Sequence, residues 1–330
     1  MAVRIMEVAR QAGVSTATVS RALRGLPNVA PATRQRVTRV AAELGYRPHP
    51  HATGLATGRS SAIGMVVPHL SSWFSGRVAQ GAHEVVAAQR RHLVLLAASR
   101  GNGMAELASP NLSQLVAGLV VVDLPSTPDC LGPTPLPSVP LVAVGAASGL
   151  EPAIKIDDRR AAAAAVSHLC ALGHRRIGLL GDLEAEAPGS HVPGDRRRGY
   201  LDALVAAGIK PSTELQESGR FTAHDGAAAT KRLLALAAPP TAIFAMSDEM
   251  AIGALGVLRE QHLRVPVDVA VIGFDDHELA AHVGLSTIRQ RPTAQGRQAA
   301  AWLLSRLAGD DPPPPMPATW ELIVRSSTVP

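Results

Sequence analysis

Cysteines and aromatic residues are scarce in this 330-residue chain, and each scarcity narrows what it can be. The two cysteines, Cys130 and Cys170, exclude a disulfide framework, so the fold must rest on a buried core and suits a reducing cytoplasm. No apolar stretch approaches the roughly 18 residues of a spanning helix, and the first residues lack the apolar centre of a secretory leader. A cytosolic protein with no membrane partner is the expectation. Nucleotide-cradling glycine loops are missing as well. "MVVPHLSSWF", where a first strand would pass into a helix, has neither GxGxxG nor GxxxxGK[ST], and no GxSxG elbow occurs. His168, Cys170 and His174 cluster in "SHLCALGH" but match no metal-ligand spacing. A small-molecule α/β enzyme is thus the alternative to a binding protein, and neither a cofactor nor a metal is expected.

What is present divides unevenly along the chain. Composition is that of a globular protein, 46% hydrophobic and 18% charged, and the length suits a small domain joined to a larger one. Residues 1–60 contain no lysine, nine arginines and two acids, a net of +7, whereas the other 270 residues carry 23 basic and 25 acidic side chains. A basic head on a near-neutral body points to a polyanion-binding module, the alternative being a solvated arginine-rich tail.

Helical spacing organises that head. Ile5, Val8, Ala9 and Ala12 share one face of a short helix, and Gly13 allows a tight turn. Ser15 supplies an N-cap oxygen for a second helix, in which Val19, Ala22 and Leu23 face inward while Ala17, Ser20, Arg21 and Arg24 face outward. A third helix follows in "PATRQRVTRVAAELG", with Pro31 in its first turn and Val37, Val40, Ala41 and Leu44 inward. Small and basic residues outward on the second helix make this pair a helix-turn-helix, able to approach the floor of a DNA major groove. An ordinary helical hairpin would show acids and lysines there instead.

From residue 62 short apolar runs alternate with helical stretches. "AIGMVVP", "HLVLLAAS", "AGLVVVDLP" and "PLVAVGA" read as buried parallel strands, and "RRIGLLGDL", "TAIFAMS" and "VAVIGFD" repeat the theme. Helical segments such as "DRRAAAAAVSHLCALGH" and "MAIGALGVLREQH" lie between them, which predicts two lobes built on doubly wound parallel sheets. Ligands of such folds sit beyond the carboxyl ends of strands. Trp73 and Phe74, in a loop after the first strand, are candidates to stack on a ligand or to pack over the lobe. Asp248 and Asp275 follow later strands and can accept hydrogen bonds from hydroxyls, although Asp248 is also placed to cap a helix.

The segments "IMEVARQAGVSTATVSRALRG", "LVAGLVVVDLP", "HLCALGHRRIGLLG", "AIFAMSDEMAIGALGVL", "VAVIGFDDHELA" and "STIRQRPTAQGRQAAAWLL" follow one another in an order that resembles the LacI/GalR family of transcriptional regulators. The resemblance implies a helix-turn-helix domain at 1–47, a hinge segment at 48–60, and an effector-binding and dimerisation core at 61–330. That core is periplasmic-binding-protein-like, with an N-lobe at about 61–158 and 291–318 and a C-lobe at about 159–287 and 321–330. It implies base contacts from Thr16, Ala17 and Arg21, and phosphate contacts from Ser15, Thr18, Ser20, Thr33 and Arg34, with capping or packing as the other role of Thr18 and Thr33. It places Leu55 as a minor-groove wedge, in a hinge where Pro50 and Gly54 depart from the usual helix. It also adds Phe221 and Arg196 to the effector site, with Arg197 as the other arginine the acidic, Gly- and Pro-containing segment before them could supply. The implied partners are double-stranded operator DNA, a sugar or related metabolite, and a second copy of the chain. The implied activity is repression without catalysis. The C-terminal "GDDPPPPMPATW" carries no heptads, which argues against a tetramer built on a coiled coil.

Overall fold

The computed structural model describes residues 3–23, 25–46, 60–98, 107, 112–124, 138–145, 150–183 and 192–329. The chain forms two compact units, Met1–Ser60 and Ser61–Pro330.

Among the described residues the first unit has three helices: α1 (Ile5–Ala12), α2 (Thr16–Leu23) and α3 (Pro31–Glu43). Each is too short to persist alone, and each donates one apolar stripe to a shared core of Val8, Ala9, Ala12, Val19, Ala22, Val37, Val40 and Ala41. Gly13 takes φ +63°, and the N–H groups of Gly13 and Val14 close the end of α1 on the carbonyls of Arg10 and Ala9. That closure sets the turn into α2. Leu55 and the rest of the 48–59 segment lie outside the described residues.

The second unit contains two parallel sheets. The first has order β2-β1-β3-β4-β5, formed by β1 (Ile63–Val67), β2 (Leu93–Ala97), β3 (Gly118–Val122), β4 (Leu141–Val144) and β5 (Ala153–Ile154). The second has order β7-β6-β8-β9, from β6 (Ile177–Gly181), β7 (Gln216–Ser218), β8 (Ala242–Ala245) and β9 (Ala270–Ile272). β1, β3 and β6 are buried along their whole length, as expected of strands covered on both faces. In each sheet the strand order reverses beside its first strand, which opens a crevice at the carboxyl ends of β1 and β3, and of β6 and β8. A short antiparallel pair, β10 (Thr287–Arg289) and β11 (Glu321–Ile323), completes the strands.

The remaining helices among the described residues are α4 (Trp73–Ala88), α5 (Leu112–Leu115), α6 (Asp158–Ala171), α7 (Val192–Ala206), α8 (Ala223–Leu234), α9 (Asp248–Glu260), α10 (Glu278–His282) and α11 (Pro292–Ala308). α11 returns from the end of the chain to pack on α4 beside the first sheet. The two backbones nearly touch: a Cβ on Gly81 would lie 1.9 Å from the Thr293 carbonyl oxygen, and one on Gly296 would lie 2.0 Å from that of Val78. No helix among the described residues is long and apolar enough to cross a membrane.

Candidate effector cleft and DNA-reading face

On the three-helix unit, Thr16, Ala17 and Arg21 are exposed on α2, and Arg21 makes no hydrogen bond among the described residues. The other expected contacts are occupied locally. Ser15 Oγ accepts the Thr18 N–H at 3.1 Å and lies 2.9 Å from the Thr18 hydroxyl, so these two residues build the helix cap. Arg34 sends its guanidinium to the carbonyls of Gly25 (3.3 Å) and Leu26 (2.7 Å), where α2 has ended. It therefore ties α3 to the end of α2. Ser20 and Thr33 are half-buried.

In the second unit a cavity of about 530 Å³ collects the residues that follow five strands. Ser71, Ser72 and Phe74 come after β1, Asp123 after β3, Asp182 after β6, Ser247 and Glu249 after β8, and Asp275 after β9. Phe221, in the turn before α8, adds a second ring to the lining. Asp123, Phe221 and Asp275 hold positive φ values of 41°, 58° and 120°, backbone states that side chains of this size rarely adopt. Strain gathered around one cavity is characteristic of binding sites.

Arg196 is the charged centre of this wall. It is only 4% exposed; its Nε donates to Asp158 Oδ1 at 2.8 Å and one Nη to the Met246 carbonyl at 2.5 Å. Its guanidinium carbon lies 3.5 Å from the Phe274 ring centre, and Asp275 Oδ1 lies 3.9 Å from Nη1. Asp275 also accepts a 2.5 Å hydrogen bond from Gln290 Nε2. Burial raises the pKa of both Asp158 and Asp275 despite the neighbouring arginine, Asp275 well above the ordinary carboxylate value. Burial likewise pushes Glu249, which faces the cavity, up to about 7.

Two expected positions differ. Trp73 does not line the cavity and does not sit in a loop. Ser72 caps α4, its Oγ accepting the Ser75 N–H, so the helix begins at Trp73 and turns that ring toward α10. Asp248 is wholly buried and absent from the lining; it accepts the Thr287 hydroxyl at 2.6 Å and the His277 N–H at 2.7 Å. Nor does its side chain cap α9, since Ser247 Oγ takes the Met250 N–H. Of the two candidate arginines, Arg197 turns away and donates to Gln216 Oε1 at 2.8 Å. His168 and His174 bond separately to Thr328 and Thr241.

The comparisons with known proteins match both units. Residues 4–49 match the model of bacterial regulatory proteins of the lacI family, and residues 166–328 match a periplasmic binding protein-like domain. The HTH-type transcriptional repressor CytR of Escherichia coli (strain K12) is 36% identical over 315 residues, covering 93% of this chain and 91% of CytR. The chain belongs to the LacI family. Among solved structures, the transcriptional regulator CelR in complex with cellobiose is similar over 98% of this chain and 99% of that one, with TM-score 0.70 and 31% identity. The lac repressor dimer bound to operator and the anti-inducer ONPF gives TM-score 0.81 and 26% identity over the full length of both. As a LacI-family protein this chain is a DNA-binding transcriptional regulator of the repressor type and not an enzyme.

Sequence reasoning overlooked several lining residues of this LacI-family core. Asp123 and Asp182 stand directly after "GLVVV" and "IGLLG", the same position that marked Asp275, so the strand-end rule reached them and was not applied. Glu249, Arg220 and Gln290 had no such signal. Their placement follows from helix phase and from chain segments meeting across the core.

Proposed function

We propose that the protein is a sequence-specific repressor that binds a pseudo-palindromic operator as a homodimer. A small molecule, a sugar or related metabolite, controls it from the cleft built around Arg196. The observation that carries this reading is one chain holding both an exposed Thr16, Ala17 and Arg21 face and a strained, ring-walled cavity at strand ends. Arg21 reads a guanine edge through two donors, Thr16 and Ala17 make close contacts beside it, and Ser20 and Thr33 set register on phosphates. The CelR–cellobiose complex supports a sugar, and the operator-bound lac repressor dimer supports two copies on DNA.

Phe74, Arg196, Phe221 and Asp275 hold the effector. Binding there biases the two lobes toward one arrangement, and the 48–60 segment with Leu55 carries that bias to the head. The effector shifts operator affinity only by its differential affinity for the two arrangements. Regulation takes place inside the cell, on chromosomal DNA, and repression needs only that bound protein obstruct transcription. Selection of bound sequences from a random duplex pool tests this. Enrichment of a two-fold symmetric site is expected; enrichment of asymmetric single half-sites would remove the dimeric reading.

A further inference from the structure

The cavity is walled by two phenylalanines and five carboxyl groups, those of Asp123, Asp182, Asp225, Glu249 and Asp275, against only two arginines. Arg196 is not free to receive an anion, being already engaged by Asp158, the Met246 carbonyl and Asp275, which leaves the exposed Arg220 as the other lining arginine. A phosphate or carboxylate entering the cavity would meet more carboxyl groups than arginines among the described lining residues, in a partly desolvated space where charges are poorly screened.

Glu249 is the second observation. It lies in the first turn of α9, is half-buried, faces the cavity, and receives no hydrogen bond among the described residues. Its charge also acts on Asp275, raising that carboxyl further. Two carboxyls that burden each other in one cavity are relieved together by a donor that brings positive charge. Hydroxyl groups supply donors alone; a protonated amine supplies donors and charge.

We infer that the effector carries a protonated amine, placed toward Glu249 and Asp275, on a ring stacked between Phe74 and Phe221. Amino sugars and aminated ring metabolites fit this chemistry, and phosphorylated or carboxylated metabolites do not. The inference rests on the cleft being the effector site and narrows its ligand class.

Matched triads test it on the full chain by thermal shift and then calorimetry. They are glucose, glucosamine and glucose phosphate; cellobiose, its diamino analogue and its phosphate; and adenosine, its aminodeoxy analogue and its monophosphate. In at least one triad the amine is expected to bind about tenfold or more tightly than its neutral parent, with no response to the phosphate. Glu249→Gln keeps the side chain's size and removes a repulsive charge, so it folds. It is expected to abolish the amine's advantage over its neutral parent. A neutral parent that binds as well as its amine, or a phosphate that binds best, overturns the inference and leaves the cleft as the effector site. Silence across every triad would overturn the effector reading with it.

Discussion

The indole N–H of Trp73, at the start of α4, donates to Glu278 Oε2 of α10 at 2.5 Å, joining the helix after the first strand of one sheet to the helix after the last strand of the other. Arg77 donates to the second oxygen of the same carboxylate and lies 5.7 Å from the indole ring centre, while His277 stacks obliquely on that ring at 5.0 Å. Partial burial pushes the Glu278 carboxyl up, but its hydrogen bonds, those from Trp73 and Arg77 included, outweigh this and hold it below its ordinary value. The latch is charged and ready to accept. Trp73→Phe and Glu278→Gln are expected to show a coupling of about 0.5–1.5 kcal/mol in a double-mutant cycle read by urea unfolding. A coupling of zero would remove the latch.

Arg196 has a different role from that of a surface ion pair. Arg196→Ala leaves Asp158 buried without its counter-charge and is expected to cost about 3 kcal/mol or more in urea unfolding of the core. Arg196→Met combined with Asp158→Leu removes both charges and is expected to recover most of that loss. Failure of the double variant to recover would mean that the bond to the Met246 carbonyl, not the ion pair, dominates.

Phe221 holds φ +58° at the cavity wall. Phe221→Gly relieves the backbone and removes the ring, so stability is expected to change by no more than about 1 kcal/mol. Effector affinity, measured by calorimetry, should fall about tenfold or more. A large stability loss with unchanged affinity would assign the ring to packing.

The carboxyl of Glu249 titrates at about 7 in the fold against an ordinary 4.5, raised by burial. Between those values the folded state binds more protons than the unfolded one, so this group's contribution falls as pH rises toward 7 and is flat above it. Histidines 168, 174 and 277, lowered by burial, act in the opposite direction below their ordinary value of 6.5. The difference between Glu249→Gln and the parent isolates the carboxyl. The variant is expected to gain melting temperature relative to the parent from pH 5 to pH 8, and a pH-independent difference would contradict the assignment.

In the head, two arginines that look alike in sequence separate in the fold. Arg21→Ala is expected to relax base preference at one operator position by about 1–3 kcal/mol of discrimination, without loss of head stability. Arg34→Ala strips donors from the Gly25 and Leu26 carbonyls and is expected to cost the head about 1 kcal/mol in thermal unfolding. Selection from random duplexes and calorimetry on each variant distinguish the two.

Much of this molecule was legible before its structure. The three head helices, the turn at Gly13 and strands β1–β4, β6, β8 and β9 follow from apolar spacing, because burying a stripe or a continuous run leaves its mark in the sequence. Strands β5, β7, β10 and β11 did not, being two or three residues long and, unlike the equally short β9 in "VAVIGF", outside any continuous apolar run. Phe74, Arg196, Phe221 and Asp275 do line the cavity, whereas Trp73 and Asp248 do not. Each of those two placements goes with a cap: Ser72 starts α4 one residue before Trp73, and Ser247 starts α9 one residue before Asp248. A shift of one residue on a helix rotates a side chain by about 100°, enough to turn it from a cleft to a neighbour.

By itself the sequence determined the division into a basic three-helix head and an α/β core, the family, and the exposed face of α2, since all three are properties of local pattern and charge. The tertiary structure alone decided that Arg196 rather than Arg197 enters the cavity, that Glu249 and Asp275 both line it, and that Trp73 bridges to Glu278 205 residues away. Those are meetings of side chains from distant segments, and their geometry depends on where helices start and how closely paired backbones such as those at Gly81 and Gly296 approach, which no local pattern records.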